Sequence, residues 1–285
     1  MPRSFLHSRE RVFRKTSFVM PTALPFYKEP SDEAGLRKRY FIVARIFITG
    51  SADGLGKLSA NALIAEGHQV LLHARNAERA EQAMKTVPRA EGVVAGDLTS
   101  INETKRLADK VNDLGRFDAG IHNAGVYRVS AEEIFAVNTL APYILTCLKK
   151  RPERLIYLSS GMHLQGRPNL ESFTTNIGRI TYSDSKLHVL MLAMAVARRW
   201  PDVCANAVDP GWVPTKMGGR AAPDDLTKGY ETQVWLAVSN DEKAKVSGRY
   251  FHHQKIARHN PQADNLEIQE KFLDLCEEIT GISLP

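Results

Sequence analysis

The sequence predicts an α/β fold, a doubly wound parallel sheet of about seven strands in a single domain. From residue 41 onward, short β-branched runs alternate with longer patterns of helical periodicity, which is typical of βαβ units. Several of the short runs are apolar throughout, as expected for parallel strands that helices cover on both faces. We therefore interpret residues 41–285 as one domain and residues 1–40 as a basic, disordered N-terminal extension.

The elements of this domain are predicted from periodicity and from turn residues. The predicted strands lie at 42–49, 69–73, 92–95, 119–122, 155–159, 203–208 and 248–251. The predicted helices lie at 54–65, 77–86, 101–114, 131–149, 180–199, 225–238 and 265–278. The connections between them are short, which also favours a single domain.

The composition argues against a membrane-spanning segment, and the distribution of charge argues against a nucleic-acid partner. Hydrophobic residues make up 43% and charged residues 25%, as in ordinary globular proteins, and no apolar run reaches the roughly 18 residues of a membrane span. Residues 1–45 hold ten Lys/Arg against four Asp/Glu and thus the whole net charge of +6. The remaining residues are neutral, so we expect no nucleic-acid partner. We expect a cytoplasmic protein, with the extension being an organelle-targeting segment, a disordered tail or the product of a misplaced start codon.

Metal and disulfide chemistry are not predicted. Cys147, Cys204 and Cys276 lie far apart in apolar patterns, as small buried hydrophobes do in a reducing compartment. The histidines near the C-terminus lack a partner at metal-ligand spacing.

A glycine-rich turn joins the first predicted strand to the first helix, at 47–57. Gly50 permits a tight turn, Gly54 lets the backbone approach a pyrophosphate, and Gly56 lets the helix pack closely on the strand. The helix N-terminus presents unpaired N–H groups to the anion, beside Ser51 and Leu55. This context predicts the dinucleotide site of a Rossmann fold.

The residue after the second strand selects the cofactor. Arg75 stands where an acidic residue would bind the ribose of NAD, and a guanidinium matches a 2′-phosphate instead. We therefore expect NADP(H) to be preferred, with NAD(H) as the alternative. Asp53 within the glycine loop argues mildly against this preference.

Tyr182 and Lys186 are four residues apart and share one face of a predicted helix. A nearby ammonium favours the phenolate and lowers the pKa of a tyrosine, which can then exchange a proton with a substrate oxygen. Such a pair also occurs by chance, so its interpretation depends on the other motifs.

Taken jointly, the motifs resemble those of the short-chain dehydrogenase/reductase superfamily over about residues 44–252. The family's TGxxxGxG pattern is matched at 49–56 and its YxxxK pattern at 182–186. Further landmarks agree in order: Asp97-Leu98, Asn123-Ala124-Gly125, Asn138, Ser160 and the segment containing Pro210, Gly211, Val213 and Thr215. The interval between Ser160 and Tyr182 suggests the retinol-dehydrogenase-like branch.

The resemblance implies hydride transfer between a nicotinamide and a carbonyl or alcohol. Ser160 would hold the substrate oxygen, Tyr182 would be the general acid/base, and Lys186 would lower the pKa of Tyr182 and hold the nicotinamide ribose. Asn138 would anchor a water that links Lys186 to solvent. Of the cofactor-binding residues, Asp97 and Leu98 would face the adenine and Asn123 to Gly125 would lie along the cofactor. Pro210, Gly211, Val213 and Thr215 would support the nicotinamide amide.

Substrate and assembly are less well defined by the sequence. A lipophilic ketone, aldehyde or secondary alcohol is expected from apolar residues that flank the predicted cleft: Met162, Leu164, Phe173, Trp212 and Met217. The helix after Lys186 is apolar almost all round, and its equivalent in the family often pairs with a second copy, so we expect a homodimer or homotetramer. The alternative function is a non-enzymatic NADP-binding sensor or scaffold with the same fold.

Overall fold

A computed structural model of the protein describes residues 43–147 and 150–285. The N-terminal extension predicted for residues 1–40 lies outside the described residues, as does the end of the helix predicted at 131–149. Backbone contacts gather Ile42–Pro285 into one unit.

Eight strands form one sheet in the described residues, with the spatial order β3-β2-β1-β4-β5-β6-β7-β8. The strands are β1 Arg45–Ile48, β2 Gln69–Ala74, β3 Gly92–Ala95, β4 Ala119–His122, β5 Arg154–Leu158, β6 Cys204–Asp209, β7 Arg249–His252 and β8 Lys255–Ile256. The first seven pair in parallel, and Ile46 at the centre of β1 aligns with Val70 of β2 and Ala119 of β4. The predicted doubly wound sheet is confirmed.

The eighth strand was not predicted. β8 is two residues long and pairs antiparallel with β7 through a turn at His253 and Gln254, both of which have positive φ angles. A two-residue turn of this kind is ordinarily signalled by Asn-Gly or Asp-Gly. The sequence has neither pair at this turn, so its local pattern does not predict the hairpin.

The helices agree with the predicted series, apart from short additions. They are α1 Gly54–Ala65, α2 Ala77–Thr86, α3 Ile101–Asp113, α4 Ala131–Ile134, α5 Ala141–Thr146, α6 Ser172–Thr175, α7 Tyr182–Arg199, α8 Lys228–Val238 and α9 Leu266–Thr280. The predicted helix at 131–149 is divided, because a π-helix, Phe135–Leu140, separates α4 from α5. None of the helices in the described residues is long and apolar enough to cross a membrane.

Two hydrophobic cores lie on opposite faces of the sheet. Phe47 of β1 belongs to the core formed with α3, α5, α7 and α9, whereas Ile46 and Ile48 belong to the core formed with α1, α2 and α8. Successive residues of a strand point to opposite faces, so an uninterrupted apolar strand feeds both cores. The strand order reverses direction between β1 and β4, and ligands bind at such a point, beyond the carboxyl ends of the strands.

Helix α7 is covered within its own chain. It contacts β5, β6, the π-helix and α9, and its residues from Asp184 to Val196 are all buried. At its C-terminal end Arg198 and Arg199 both pair with Glu270 of α9. The oligomer prediction rests on the apolar surface of this helix, and the same chain already buries that surface without a second copy.

Candidate active site

The carboxyl ends of the central strands surround a cleft of about 520 Å³. Its walls come from the start of α1, the loops after β4, β5 and β6, the start of α7 and the end of β7. Most segments that carry a predicted site residue end here, because parallel strands deliver their C-terminal loops to one edge of the sheet.

The glycine loop is shaped by close backbone packing. Gly50 has a φ of +63°, and a Cβ there would lie 2.9 Å from the Cα of Ala124. A Cβ on Gly56 would lie 2.4 Å from Nδ2 of Asn123. Gly54 differs, since it has a φ of +53° but a Cβ there would meet no atom within 4 Å. The open face of Gly54 and the first N–H groups of α1 therefore suit a bound phosphate.

Ser51 plays a different part from the one predicted. Its hydroxyl donates to the carbonyl of Ile48 at 2.8 Å and accepts from the N–H of His73 at 2.8 Å, and its own N–H donates to the His73 carbonyl at 3.1 Å. The residue is fully buried. Its hydroxyl and its N–H brace the loop from behind, so these two groups are not available to a cofactor.

His73 is a loop-holding residue that the sequence analysis missed. Its Nδ1 accepts the N–H of Gly50 at 3.0 Å, so the neutral ring donates from Nε2 to the carbonyl of Gly96 at 2.9 Å. Burial lowers the pKa of His73, which favours this neutral form. The sequence does carry a signal for this role, since His73 follows the apolar run at residues 70–72 in β2. A buried polar ring there needs hydrogen-bond partners.

Near the glycine loop, Arg75 has no ion-pair partner among the described residues, whereas Asp53 has two. Arg75 follows β2, is exposed and forms no ion pair with the described residues. Asp53 caps α1 by accepting the N–H of Gly54 at 2.9 Å, and it pairs with Lys216 and, at 3.6 Å, with Arg79. The hydrogen bond from Lys216 lowers the pKa of Asp53. Two cations thus already offset the acidic charge that argued against NADP(H).

Asp97 and Leu98 lie directly after β3. Oδ1 of Asp97 accepts from the N–H and the hydroxyl of Thr99 at 3.0 and 2.8 Å, while the Asp97 N–H donates to Glu103 at 2.9 Å. Leu98 is buried. The predicted contact of these two residues with an adenine stays a prediction.

Asn123 anchors the loop after β4 to the glycine loop, since its Nδ2 donates to the carbonyl of Thr49 at 2.9 Å. Gly125, two residues on, is close to two predicted catalytic side chains. A Cβ on Gly125 would lie 3.3 Å from Nζ of Lys186 and 3.4 Å from Oδ1 of Asn138. The Asn-Ala-Gly segment therefore joins the glycine loop to the predicted catalytic residues Lys186 and Asn138.

Ser160 and Tyr182 come together in the cleft. Ser160 begins a 3₁₀ turn, and its hydroxyl accepts the N–H of Met162 at 3.2 Å. It also lies close enough to Tyr182 to oppose the rise that burial causes in the pKa of that phenol, and the Tyr182 ring packs on Tyr127 at a centroid distance of 4.7 Å. Thr181 and Asp184 form a capping box that fixes the start of α7, and hence the position of Tyr182.

Lys186 lies beneath Tyr182. Its Nζ is 5.5 Å from the centre of the Tyr182 ring and donates to the carbonyl of Leu158 at 2.8 Å. Burial lowers the pKa of Lys186 to about 8, against a smaller opposing effect of Asp209. Burial raises the pKa of Tyr182 to about 12, although Ser160 opposes the shift. The lowering of the tyrosine pKa that was expected from Lys186 is not found, because desolvation dominates and the opposing effect comes from Ser160.

Asn138 sits in the π-helix and is 1% exposed. Its Oδ1 accepts from the N–H of Val126 at 2.8 Å, and its Nδ2 donates to the Val126 carbonyl and to the Ser185 hydroxyl, each at 3.0 Å. The side chain therefore ties the loop after β4 to α7, which positions both parts of the site.

The segment after β6 forms the opposite wall. Gly211 has a φ of +79°, and Val213 is buried against α8. A Cβ on Gly229 of α8 would lie 2.7 Å from Val213 and 3.2 Å from Leu55, so both side chains meet there. Thr215 accepts the N–H of Gly218 at 3.2 Å.

The predicted apolar residues divide into two groups. Met162, Trp212 and Met217 line the cleft and are exposed, whereas Leu164 is exposed outside it. Phe173 was wrongly assigned to the cleft, because it is 3% exposed and packs on Phe135 in the core.

Asp209 and His252 were not predicted, yet both line the cleft. Asp209 ends β6 and precedes Pro210, and His252 ends the neighbouring β7. Oδ2 of Asp209 lies 3.5 Å from Nδ1 of His252. Polar residues at the carboxyl ends of adjacent parallel strands were the available signal.

Known proteins resemble this chain in sequence over most of its length. The family model for the short chain dehydrogenase matches residues 44–226. An uncharacterized oxidoreductase of Emericella nidulans is 44% identical over 256 residues, which cover 85% of this chain and 99% of that protein. Short-chain dehydrogenase chyC of Penicillium rubens is 42% identical over 260 residues, covering 85% and 100%. Retinol dehydrogenase 14 of Mus musculus is 28% identical over 288 residues, covering 83% and 86%.

Solved structures share the fold. A crystal structure of an uncharacterized protein from Mycobacterium paratuberculosis superposes with a TM-score of 0.71 at 25% identity, covering 85% of this chain and 95% of that one. A blue fluorescent protein from a metagenomic library, in complex with NADPH, superposes with a TM-score of 0.60 at 18% identity, covering 73% and 95%. The family model matches more than half of the chain, and the alignments with the two fungal relatives cover almost the whole length of those proteins. The chain therefore belongs to the short-chain dehydrogenase/reductase superfamily and is an oxidoreductase.

Proposed function

We propose that the protein is an NADP(H)-dependent oxidoreductase that transfers a hydride between the nicotinamide and a carbonyl or alcohol, with Tyr182 as general acid/base. The observation that carries this proposal is that Ser160 and Tyr182 line the same cleft, where Ser160 opposes the rise that burial causes in the pKa of the phenol, with Lys186 beneath Tyr182. The glycine loop lies beside the same cleft, where Leu55 forms part of the wall.

The chain's own groups suit reduction of a carbonyl. A bound nicotinamide would supply the hydride. Ser160 would donate a hydrogen bond to the substrate oxygen, and Tyr182 would give it a proton. Because burial raises the pKa of Tyr182 to about 12, the phenol holds its proton at neutral pH and is ready to donate it. Oxidation of an alcohol would require a phenolate, which the positive charge of Lys186 would favour.

Preference for NADP(H) is supported by charge. Arg75 is exposed at the end of β2 with its guanidinium unpaired among the described residues, and Asp53 is held by Lys216 and Arg79. A 2′-phosphate would give Arg75 a partner that a ribose hydroxyl cannot replace. The alternative is NAD(H). For the cofactor contacts of Asp97, Leu98, Asn123, Ala124, Gly125, Pro210, Gly211, Val213 and Thr215, we propose the roles given by the family motifs.

The cofactor preference is tested by kinetics. Arg75→Gln should lower the ratio of kcat/KM for NADPH over NADH by roughly 10- to 100-fold, the loss of one charge-assisted hydrogen-bond pair. Arg116→Gln is the matched control. Arg116 precedes β4 and pairs with Glu153, so its loss should not change the preference between the cofactors. A wild-type protein that favours NADH would overturn the assignment.

The substrate is proposed to be a lipophilic ketone, aldehyde or secondary alcohol. Four large exposed apolar side chains line the cleft: Tyr127, Met162, Trp212 and Met217. Exposed apolar residues that converge on one concavity indicate a binding site more strongly than scattered ones. The 28% identity to a retinol dehydrogenase is in keeping with such a substrate class.

The decisive experiment follows NADPH absorbance with a panel of lipophilic carbonyl compounds. Tyr182→Phe should lower kcat by at least about 100-fold and leave NADPH affinity nearly unchanged, since only the proton donor is lost. Tyr127 packs on the ring of Tyr182, so Tyr127→Phe is the matched control and should retain turnover. Binding of NADPH without turnover of any compound would favour the alternative, a non-enzymatic sensor or scaffold.

Assembly as a homodimer or homotetramer is also proposed. Because α7 is covered by its own chain, the interface would use other surfaces. Size-exclusion chromatography with light scattering measures the mass directly. A single species near the 31.8 kDa of one chain would overturn this part of the proposal.

A further inference from the structure

We propose that Asp209 determines substrate specificity, by accepting a hydrogen bond from a donor group that the substrate carries near its reacting carbonyl. The preferred substrates would carry a hydroxyl, amide N–H or ammonium group, and carboxylates would be disfavoured. This inference rests on the proposed function and narrows the substrate class of the same cleft.

The two carboxylate oxygens of Asp209 have different surroundings. Oδ1 accepts the N–H of Gly211 at 2.9 Å, which fixes the turn after β6. Oδ2 lies 3.5 Å from Nδ1 of His252, beyond the usual length of an N–H···O hydrogen bond. The side chain is 16% exposed and lines the cleft together with Ser160 and Tyr182. A role in holding the turn accounts for Oδ1, whereas Oδ2 accepts no hydrogen bond within the described residues, and the buried phenol of Tyr250 is near enough for Asp209 to add to the rise that burial causes in its pKa.

The space over Oδ2 is kept free by a glycine. A Cβ on Gly161, the residue after Ser160, would lie 3.0 Å from Oδ2 of Asp209. The carboxylate therefore stands close to the residue proposed to hold the substrate oxygen. A substrate bound at Ser160 would bring its neighbouring substituents towards Asp209.

The charge of Asp209 is only partly compensated within the protein. No Lys or Arg forms an ion pair with it in the part of the chain that the structure describes, and the basic group beside it is the imidazole of His252, at 3.5 Å. Its negative charge raises the pKa of Tyr182 and of Lys186, so its field reaches both catalytic groups. In a partly enclosed cleft, such a carboxylate favours donors and repels anions.

The shape of the cleft agrees with this chemistry. Its rim is apolar and its volume of about 520 Å³ suits a small organic molecule. The combination of an apolar rim with one carboxylate selects a lipophilic compound with a single hydrogen-bond donor, not a hydrocarbon ketone and not a keto acid.

A matched series of acetophenones tests the proposal. The compounds carry an aminomethyl, a methyl or a carboxylate group at the meta or the para position, and kcat/KM is measured for each with NADPH. Wild type should favour aminomethyl over carboxylate, and Asp209→Asn should reduce that ratio by roughly 10- to 100-fold, the effect of one hydrogen bond to a charged group. Using a ratio removes any general effect of the substitution on turnover.

Two further variants keep the test decisive. Asp264→Asn removes the carboxylate of a second Asp–His pair outside the cleft, where Nε2 of His259 lies 2.9 Å from Asp264, and it should leave the ratio unchanged. Gly161→Ala retains Asp209 but fills the space over Oδ2, so it should also reduce the ratio. It serves as the main variant if Asp209→Asn fails to fold.

The outcomes separate this inference from the proposed function. An equal ratio in wild type, Asp209→Asn and Gly161→Ala, with turnover present, would overturn the role of Asp209 alone. If wild type reduces none of the compounds, the proposed function fails for them. The inference is then decided by saturation-transfer NMR of the aminomethyl and carboxylate compounds, with wild type and Asp209→Asn. Equal binding of both compounds to wild type would overturn it.

Discussion

Gly54 offers a direct test of the proposed phosphate site. Its φ of +53° lies in the left-handed region, where an alanine costs roughly 1–2 kcal/mol, and a Cβ there would meet no protein atom within 4 Å. Since a domain of this size loses about 2–4 °C in Tm per kcal/mol, Gly54→Ala should lower Tm by roughly 2–8 °C. The protein should still fold.

Cofactor binding should suffer more than stability. The added methyl group would point into the space proposed for the pyrophosphate, and forcing an extra methyl into a filled site costs about 1–3 kcal/mol. Calorimetric titration with NADPH should therefore show a Kd raised roughly 10- to 100-fold.

Gly67→Ala is the matched control. Gly67 has a φ of +88°, a Cβ there would also meet no atom within 4 Å, and it lies in the turn after α1. It should lose similar stability and keep its affinity for NADPH. If Gly54→Ala binds NADPH as tightly as Gly67→Ala does, the glycine loop does not hold the pyrophosphate in the proposed way.

Three further predictions concern stability. Burial lowers the pKa of Lys186 from 10.5 to about 8, so the folded state binds fewer protons than the unfolded state in that window, and wild type should gain stability relative to Lys186→Met as pH rises from 8 to 10. His73→Leu leaves the N–H of Gly50 without its partner and should cost about 1–3 kcal/mol in urea unfolding. Thr181→Ala removes the capping box of α7 and should cost about 1 kcal/mol, whereas Ser183→Ala in the same turn should cost little.

Each of these predictions has a clear contrary result. A constant stability difference between wild type and Lys186→Met across pH 8–10 would mean that the lysine titrates as it does in an unfolded chain. Unchanged urea unfolding of His73→Leu would show that the histidine does not brace the glycine loop. Equal Tm values for Thr181→Ala and Ser183→Ala would remove the contribution of the cap.

The fold could be predicted from the sequence because local patterns carry it. The apolar run at Phe47 and Ile48 feeds two cores, and only a strand covered on both faces does so. Helices α1 and α2 begin and end where capping residues and periodicity place them. The hairpin of β7 and β8 was missed, because His253 and Gln254 adopt positive φ angles without the usual turn residues.

The candidate site was predictable where one backbone requirement selects one residue type. Gly50 and Gly56 leave no room for a side chain, and their spacing is visible in the sequence. Ser51 fits the same motif but turns its hydroxyl into the protein, because a buried N–H of His73 needs an acceptor. A motif therefore predicts the backbone path more reliably than the direction of a polar side chain.

The sequence by itself determined the parallel α/β sheet, the glycine turn and the order of the Asn138, Ser160, Tyr182 and Lys186 positions, because each depends on spacing along the chain. Only the tertiary structure decided that burial raises the pKa of Tyr182, that α9 covers α7, and that Asp209 opens into the cleft. The physical reason is common to all three. Desolvation, coverage and the facing of two side chains depend on residues that are distant in sequence and meet only when the sheet and its helices are assembled.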